Sequence, residues 1–185
     1  MASTNPPDVE RLTETLDRHR VDYLLVDYLL VGGLATRAYG ATRPTYDFDC
    51  LAERSAANLD RLAGAMKELG ARLRVEGLSD EEAIALPVPL DGAWLRDREI
   101  STWRTDAGDF DVLCNMPDRT GTRQRYEDLV GRAEPKTFDR SVVMVAALDD
   151  VIASKQWANR PKDIEALPEL LAIATTLDID DGIDL

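Results

Sequence analysis

Asp47 and Asp49 stand two residues apart in the apolar run Asp47-Phe48-Asp49-Cys50-Leu51, and Asp109 and Asp111 repeat the spacing in Asp109-Phe110-Asp111-Val112-Leu113. Side chains alternate along an extended chain, so carboxylates at i and i+2 of a strand point to the same face. If the two strands are neighbours, Asp47, Asp49 and Asp111 form a carboxylate triad. Such a triad suits two divalent ions that bridge a triphosphate and an attacking hydroxyl. Magnesium matches the hard oxygen donors, with manganese as the alternative, and a chain whose one histidine is His19 has little with which to build an imidazole site for zinc. The competing reading is that acidic residues merely end strands at the surface, as they commonly do.

Two further groups bear on phosphate. Gly32 and Gly33 interrupt the sequence between an apolar strand and a short helical segment, where backbone N–H groups and the positive end of a helix can approach an anion closely. A tight turn with no ligand would use the same pair. Lys155, Arg160, Lys162 and Asp163 cluster late in the chain, in Lys155-Gln156-Trp157-Ala158-Asn159-Arg160-Pro161-Lys162-Asp163. The cations could hold a triphosphate, with Asp163 orienting a lysine or the substrate; a solvated, salt-bridged helix junction is the bland alternative.

The elements that must position these groups follow from periodicity and punctuation. Asp8 caps a helix ending near Arg20, with Val9, Leu12 and Leu16 at helical spacing. Val21-Asp22-Tyr23-Leu24-Leu25 is then repeated at once as Val26-Asp27-Tyr28-Leu29-Leu30. A five-residue repeat inverts facing within a strand, so only one copy fits the ladder, and the second runs directly into Gly32. After the strand carrying Asp47 and Asp49, Ser55 caps a helix to about Leu69, closed by Gly70 and burying Leu59, Leu62, Ala63 and Met66. Residues 72–76 alternate weakly as a strand, and 79–92 read as a short helix and a loop. Residues 98–104 and 109–114 form a hairpin about Asp106-Ala107-Gly108. Residues 119–132 are the most basic stretch and end as a helix, and Thr137 to Val145 form one strand. A helix from Leu148 to Asn159 places Asp149 and Asp150 in its first turn. Pro161 opens a last helix to about Leu177, with Ile164, Leu167, Leu170, Leu171 and Ala174 inward and an acidic tail beyond.

Composition bounds the reading. The chain has 185 residues, 44% of them hydrophobic, enough for one core. A formal charge of -13 disfavours broad adhesion to nucleic acid, so any such contact must be local. Cys50 and Cys114 lie far apart, which argues against a disulfide framework and for a reducing cytoplasmic setting. No apolar run is long enough for a membrane span, and the first residues lack the features of a signal peptide. The alternating elements specify an α/β (α+β) domain with a mixed sheet, flanking helices and a C-terminal helical cap.

The order of the three groups, Gly32-Gly33, then Asp47 and Asp49, then Asp111, resembles the nucleotidyltransferase superfamily related to DNA polymerase beta. Within it, the block from Val31 to Leu51 together with the late Lys155 and Arg160-Pro161-Lys162-Asp163 looks like the AbiEii-type toxins of bacterial toxin-antitoxin pairs. The resemblance implies a catalytic core over residues 1–145, helices completing the site over 146–177, and an acidic tail over 178–185. It implies that Asp47, Asp49 and Asp111 hold metal, that Thr45 sits beside the triphosphate, that Lys155, Arg160 and Lys162 neutralise it, and that Asp163 is the late acid. It further implies an NTP substrate, a tRNA 3′ end as acceptor and a cognate antitoxin. The sequence departs from the Gly-Ser form of the motif at Gly33, so backbone amides must serve there. Two other functions fit the same residues: transfer to a small molecule of the antibiotic kind, and a non-catalytic domain that binds nucleotide or partner.

Overall fold

Seven strands make one mixed sheet, and the strand bearing Asp47 and Asp49 lies at its centre. The computed structural model describes residues 5–19, 28–75, 77–138 and 141–181. In chain order these give α1 (Val9–Arg18), β1 (Tyr28–Leu30), α2 (Gly32–Ala38), β2 (Asp47–Ala52), α3 (Ala56–Glu68), β3 (Arg72–Leu73), α4 (Asp80–Ile84) and α5 (Gly92–Arg96). They continue as β4 (Ile100–Thr105), β5 (Gly108–Leu113), β6 (Met116–Pro117), β7 (Arg123–Gln124), α6 (Tyr126–Leu129), β8 (Glu134–Phe138), β9 (Ser141–Val145), α7 (Leu148–Ala158) and α8 (Pro161–Asp181). The sheet order is β3-β4-β5-β2-β1-β9-β8, with β6 and β7 forming a separate ribbon.

The central pairing is parallel. β2 and β5 run together in a register that sets Phe48 opposite Phe110 and Asp49 opposite Asp111, while β2 pairs antiparallel to β1 on its other side. Because faces alternate, the phenylalanines fill one side of this pair and the aspartates occupy the other. Phe48 and Phe110 are fully buried and stack with centroids 5.1 Å apart and planes 13° from parallel. Behind them α1 packs on α3 and α3 on α5; α2, α7 and α8 form the second helical group.

The helix starts are capped as their sequences require. The Asp8 carboxylate accepts the Arg11 amide at 3.0 Å, Ser55 Oγ accepts that of Asn58 at 3.3 Å, and Ser79 with Glu82 closes a capping box. Gly70, at φ +64°, takes the chain out of α3. α1 ends at Arg18, before the expected Arg20.

Several expectations need correction. The single strand expected over Thr137 to Val145 is a hairpin of two, β8 and β9. β8 contains Pro135, which is tolerated because β8 is the sheet edge, where a residue without an N–H breaks no ladder bond. The strand expected over residues 72–76 is paired only at Arg72 and Leu73, with Glu76 outside the described residues. The segment up to Gly92 ends in a second short helix, α5, whose start Asp91 caps by accepting the Trp94 amide at 2.7 Å.

α8 runs to Asp181, beyond the expected end at Leu177, and its inner stripe is Asp163, Ala166 and Leu170. Ile164 and Leu171, expected inside, are 51% and 46% exposed. Leu170 is buried, and Leu167 and Ala174 pack partly buried against the core as their spacing predicts, but Asp163 heads the stripe and turns Ile164 and Leu171 outward. The second copy of the Val-Asp-Tyr-Leu-Leu repeat supplies β1, whereas the first copy lies outside the described residues, as does the tail from residue 182.

Candidate active site

The register of β2 against β5 assembles the acid cluster. Ligand atoms of Asp47, Asp49 and Asp111 lie within 4.8 Å of one another. Burial, then the charges of Asp47 and Asp111, push the Asp49 carboxyl up to about 7; the Lys162 ammonium and the Gly33 amide pull the other way. Burial and the Asp47 charge likewise push Asp111 up to about 6. Oδ1 of Asp111 is a buried acceptor with no hydrogen-bond partner among the described residues. Three converging carboxylates that repel one another, one of them with an unsatisfied buried oxygen, are a donor set matched to hard divalent cations.

Asp109 does not join them. It is buried and held by Arg74 at 2.9 Å and by Arg104 at 3.1 Å, its register partner on β4. Two guanidinium groups thus neutralise the fourth carboxylate of this face, and β5 contributes one acid to the cluster.

The glycines are explained by close approach. Gly32 has φ +64°, and a Cβ there would collide with the Asp49 carboxylate. At Gly33 a Cβ would strike the Thr45 hydroxyl. Thr45 is buried and donates to Asp47 Oδ1 at 3.1 Å, so this threonine positions the first acid of the triad. The glycine pair therefore lets the start of α2 lie directly against the residues of β2.

α7 and α8 bring the cations. Lys155 Nζ stands 3.4 Å from Asp163 Oδ1, and Arg160 Nε is 2.6 Å from its Oδ2. Burial would raise the Asp163 carboxyl, but the Arg160 hydrogen bond and both positive charges hold it below the usual carboxylate range. Asn159, at φ +47°, ends α7 in a left-handed cap, so the chain turns into Pro161 with Arg160 and Lys162 on the same side as Lys155. Asp163 itself is buried behind these cations and does not line the cleft.

A cleft of about 720 Å³ opens over these groups. Gly32, Gly33, Thr45 and the acid triad form one part of its wall, and Lys155, Arg160 and Lys162 another. Two contributors were not anticipated from sequence. One is an apolar wall of Ile100, Leu113, Met116 and Pro117, gathered from β4, β5 and β6; the other is Arg43, on the loop between α2 and β2.

The basic stretch 119–132 is largely spoken for. Arg123 pairs with Glu99. Arg132 makes a two-pronged pair with Asp150, at 2.6 and 2.9 Å, and Arg119 Nε bonds Gln156 at 3.1 Å. Beside them, the Trp157 ring covers Gly121, where a Cβ would meet the ring at 2.5 Å.

No protein-family model matches the sequence, and no curated protein does. Solved structures match in shape. One is the lincosamide antibiotic adenylyltransferase LnuA with lincomycin bound, at 13% identity over 91% of this chain and 99% of that one, with a TM-score of 0.53. A second is the antibiotic-resistance factor ANT(2'')-Ia, at 15% identity over 91% and 82%, with a TM-score of 0.55. A third is a Thermotoga maritima protein described as a nucleotidyltransferase, at 12% identity over 89% and 92%, with a TM-score of 0.52. The mixed seven-stranded sheet with helices around it is thus the fold found in solved nucleotidyltransferases.

Proposed function

We propose that the chain is a metal-dependent nucleotidyltransferase that moves a nucleoside monophosphate from an NTP to the hydroxyl of an acceptor. The observation that carries this reading is the triad of Asp47, Asp49 and Asp111, with the unsatisfied Asp111 oxygen, facing a cleft whose other wall is cationic. Asp47, Asp49 and Asp111 would hold the divalent ions, magnesium or manganese, which supply positive charge to the phosphate and to the attacking oxygen. Lys155, Arg160 and Lys162 bind the triphosphate, and Asp163 acts as a positioning residue that fixes the first two. The Gly33 amide and the Thr45 hydroxyl order Asp49 and Asp47, and Gly32 leaves the room that the Asp49 carboxylate needs against α2. In the transfer, the acceptor oxygen bonds to the α-phosphorus, the bridging oxygen to the β-phosphorus is released with pyrophosphate, and the acceptor proton leaves to solvent.

The acceptor this cleft suits best is a small hydroxyl compound with apolar surface, of the kind that lincosamide adenylyltransferases modify. Ile100, Leu113, Met116 and Pro117 offer it an apolar wall next to Asp111. A tRNA 3′ end, in a toxin controlled by an antitoxin, is the second reading, supported by the resemblance of the Gly-Gly, Asp-Phe-Asp and Arg-Pro-Lys-Asp blocks. Against it stand the -13 charge and the engagement of Arg123 and Arg132 by Glu99 and Asp150. No helix among the described residues is long and apolar enough to cross a membrane.

The deciding experiment supplies magnesium and each labelled NTP, with a panel of lincosamides and aminoglycosides in one arm and total tRNA in the other, beside Asp47→Ala. Label on a small molecule with the wild type alone supports the first acceptor, and label on tRNA supports the second. No transfer to either, with no metal-dependent nucleotide binding, overturns the enzyme reading.

A further inference from the structure

Arg43 lies on the loop between α2 and β2, four residues before Asp47, and lines the same cleft as Lys155 and Lys162. Its Nη2 is 2.8 Å from Glu165 Oε2 on α8. We propose that Arg43 is a nucleotide-binding residue held in reserve, which exchanges the Glu165 carboxylate for a phosphate of the bound NTP. The inference rests on the nucleotidyltransferase reading and assigns that site one more phosphate ligand.

Three observations carry it. The pair is weak where it stands: the two side chains are 44% and 63% exposed, and solvent and salt screen ion pairs of that kind until they contribute little. A guanidinium can instead make two parallel charge-assisted bonds to a phosphate, so exchange runs downhill once a triphosphate enters.

The pair is also dispensable as a clamp. Thr42 already fastens the loop to α8, donating its backbone N–H and its hydroxyl to Glu169 Oε1 at 2.7 and 2.8 Å. Pro44 stiffens the next position, and Thr45 is tied to Asp47. Arg43 can swing without loosening its neighbours.

Charge balance supplies the third. Of the cations on the cleft wall, Lys155 and Arg160 share the full negative charge of Asp163 behind them. One net positive charge remains on that pair, and Lys162 adds a second, which is fewer than the negative charges a triphosphate carries. Arg43 is the cation whose present partner is exposed and readily given up to water.

The test measures NTP affinity calorimetrically, with magnesium and no acceptor, using ATP, GTP, CTP and UTP in turn. The proteins are the wild type, Arg43→Ala, Arg43→Lys and Glu165→Gln, each with its melting temperature. Arg43→Ala is expected to weaken the preferred NTP by about tenfold or more, with Arg43→Lys between it and the wild type. Glu165→Gln is expected to tighten binding a few-fold, because the competitor is gone. All melting temperatures stay within about 2 °C of the wild type, as expected for an exposed pair. A clamp predicts instead that Arg43→Ala and Glu165→Gln impair binding alike and both lower the melting temperature. That outcome, or equal affinity of wild type and Arg43→Ala, overturns the inference while leaving the nucleotidyltransferase reading in place; a wild type that binds no NTP overturns both.

Discussion

Asp49 and Asp111 are register partners across the parallel pair of β2 and β5, so each holds the other's carboxylate in a half-buried, mutually repulsive position. Burial, then the charge of Asp47, raises Asp49 from 3.8 to about 7, with Asp111 adding to that shift, and burial and Asp47 raise Asp111 to about 6. The folded protein therefore keeps protons that the unfolded chain has released. Stability from this source is fully present below the ordinary carboxylate range and is lost as pH rises through about 6 to 7. In EDTA the melting temperature should fall between pH 5 and pH 8 by about 2–4 °C for each kcal/mol involved, and magnesium should remove most of the fall. Asp49→Asn should flatten the profile. A melting temperature that rises with pH in EDTA would contradict the clustered-acid account.

Asp47→Ala is expected to cut transfer by about a thousandfold, since it removes one corner of the cation-binding set. Its melting temperature in EDTA should match or exceed the wild type, because a like charge has been withdrawn from the cluster. Calorimetric titration with magnesium checks the cause directly, as the variant should bind the ion far more weakly.

Lys155→Ala and Asp163→Asn should separate chemistry from support. Lys155 faces the cleft, so its loss should lower kcat/KM by about a hundredfold with little change in melting temperature. Asp163 is fully buried beneath two cations, and breaking such a set costs about 3 kcal/mol, or about 6–12 °C here. Thermal melts beside steady-state kinetics distinguish the two, and an unstable Lys155→Ala would make the junction structural.

Gly32→Ala and Gly40→Ala provide a paired control. Both glycines have positive φ, +64° and +98°, so each alanine carries a strain of about 1–3 kcal/mol. Only at Gly32 does the new methyl also strike the Asp49 carboxylate; around Gly40 nothing lies within 4 Å. Magnesium affinity should collapse in the first variant and survive in the second.

Much of this arrangement is legible in the chain because it depends on period. Strict alternation in Asp47-Phe48-Asp49 and Asp109-Phe110-Asp111 announces two strands with acids on one face, and the caps Asp8 and Ser55 mark helix starts by local chemistry alone. What was hidden depends on residues from elsewhere. Nothing local tells Asp109 from Asp111; Arg74 and Arg104 decide it by neutralising one of them. On α8, Leu167, Leu170 and Ala174 are legible as inward, but Ile164 and Leu171 are not, because Asp163 becomes acceptable in the core only once Lys155 and Arg160 surround it. The apolar wall of the cleft draws single residues from β4, β5 and β6, so no window of sequence contains it. β8 escaped notice because being an edge strand is a property of the sheet.

The packing of Trp157 on Gly121 has an optical consequence. Of the three tryptophans, Trp103 is buried with Trp94 edge-on against it, whereas Trp157 is 52% exposed. It is carried by α7 between Lys155 and Ala158, both on the cleft wall. Iodide should therefore quench mainly the Trp157 component of the emission, giving the protein a built-in fluorescent reporter where α7 meets the turn between β6 and β7.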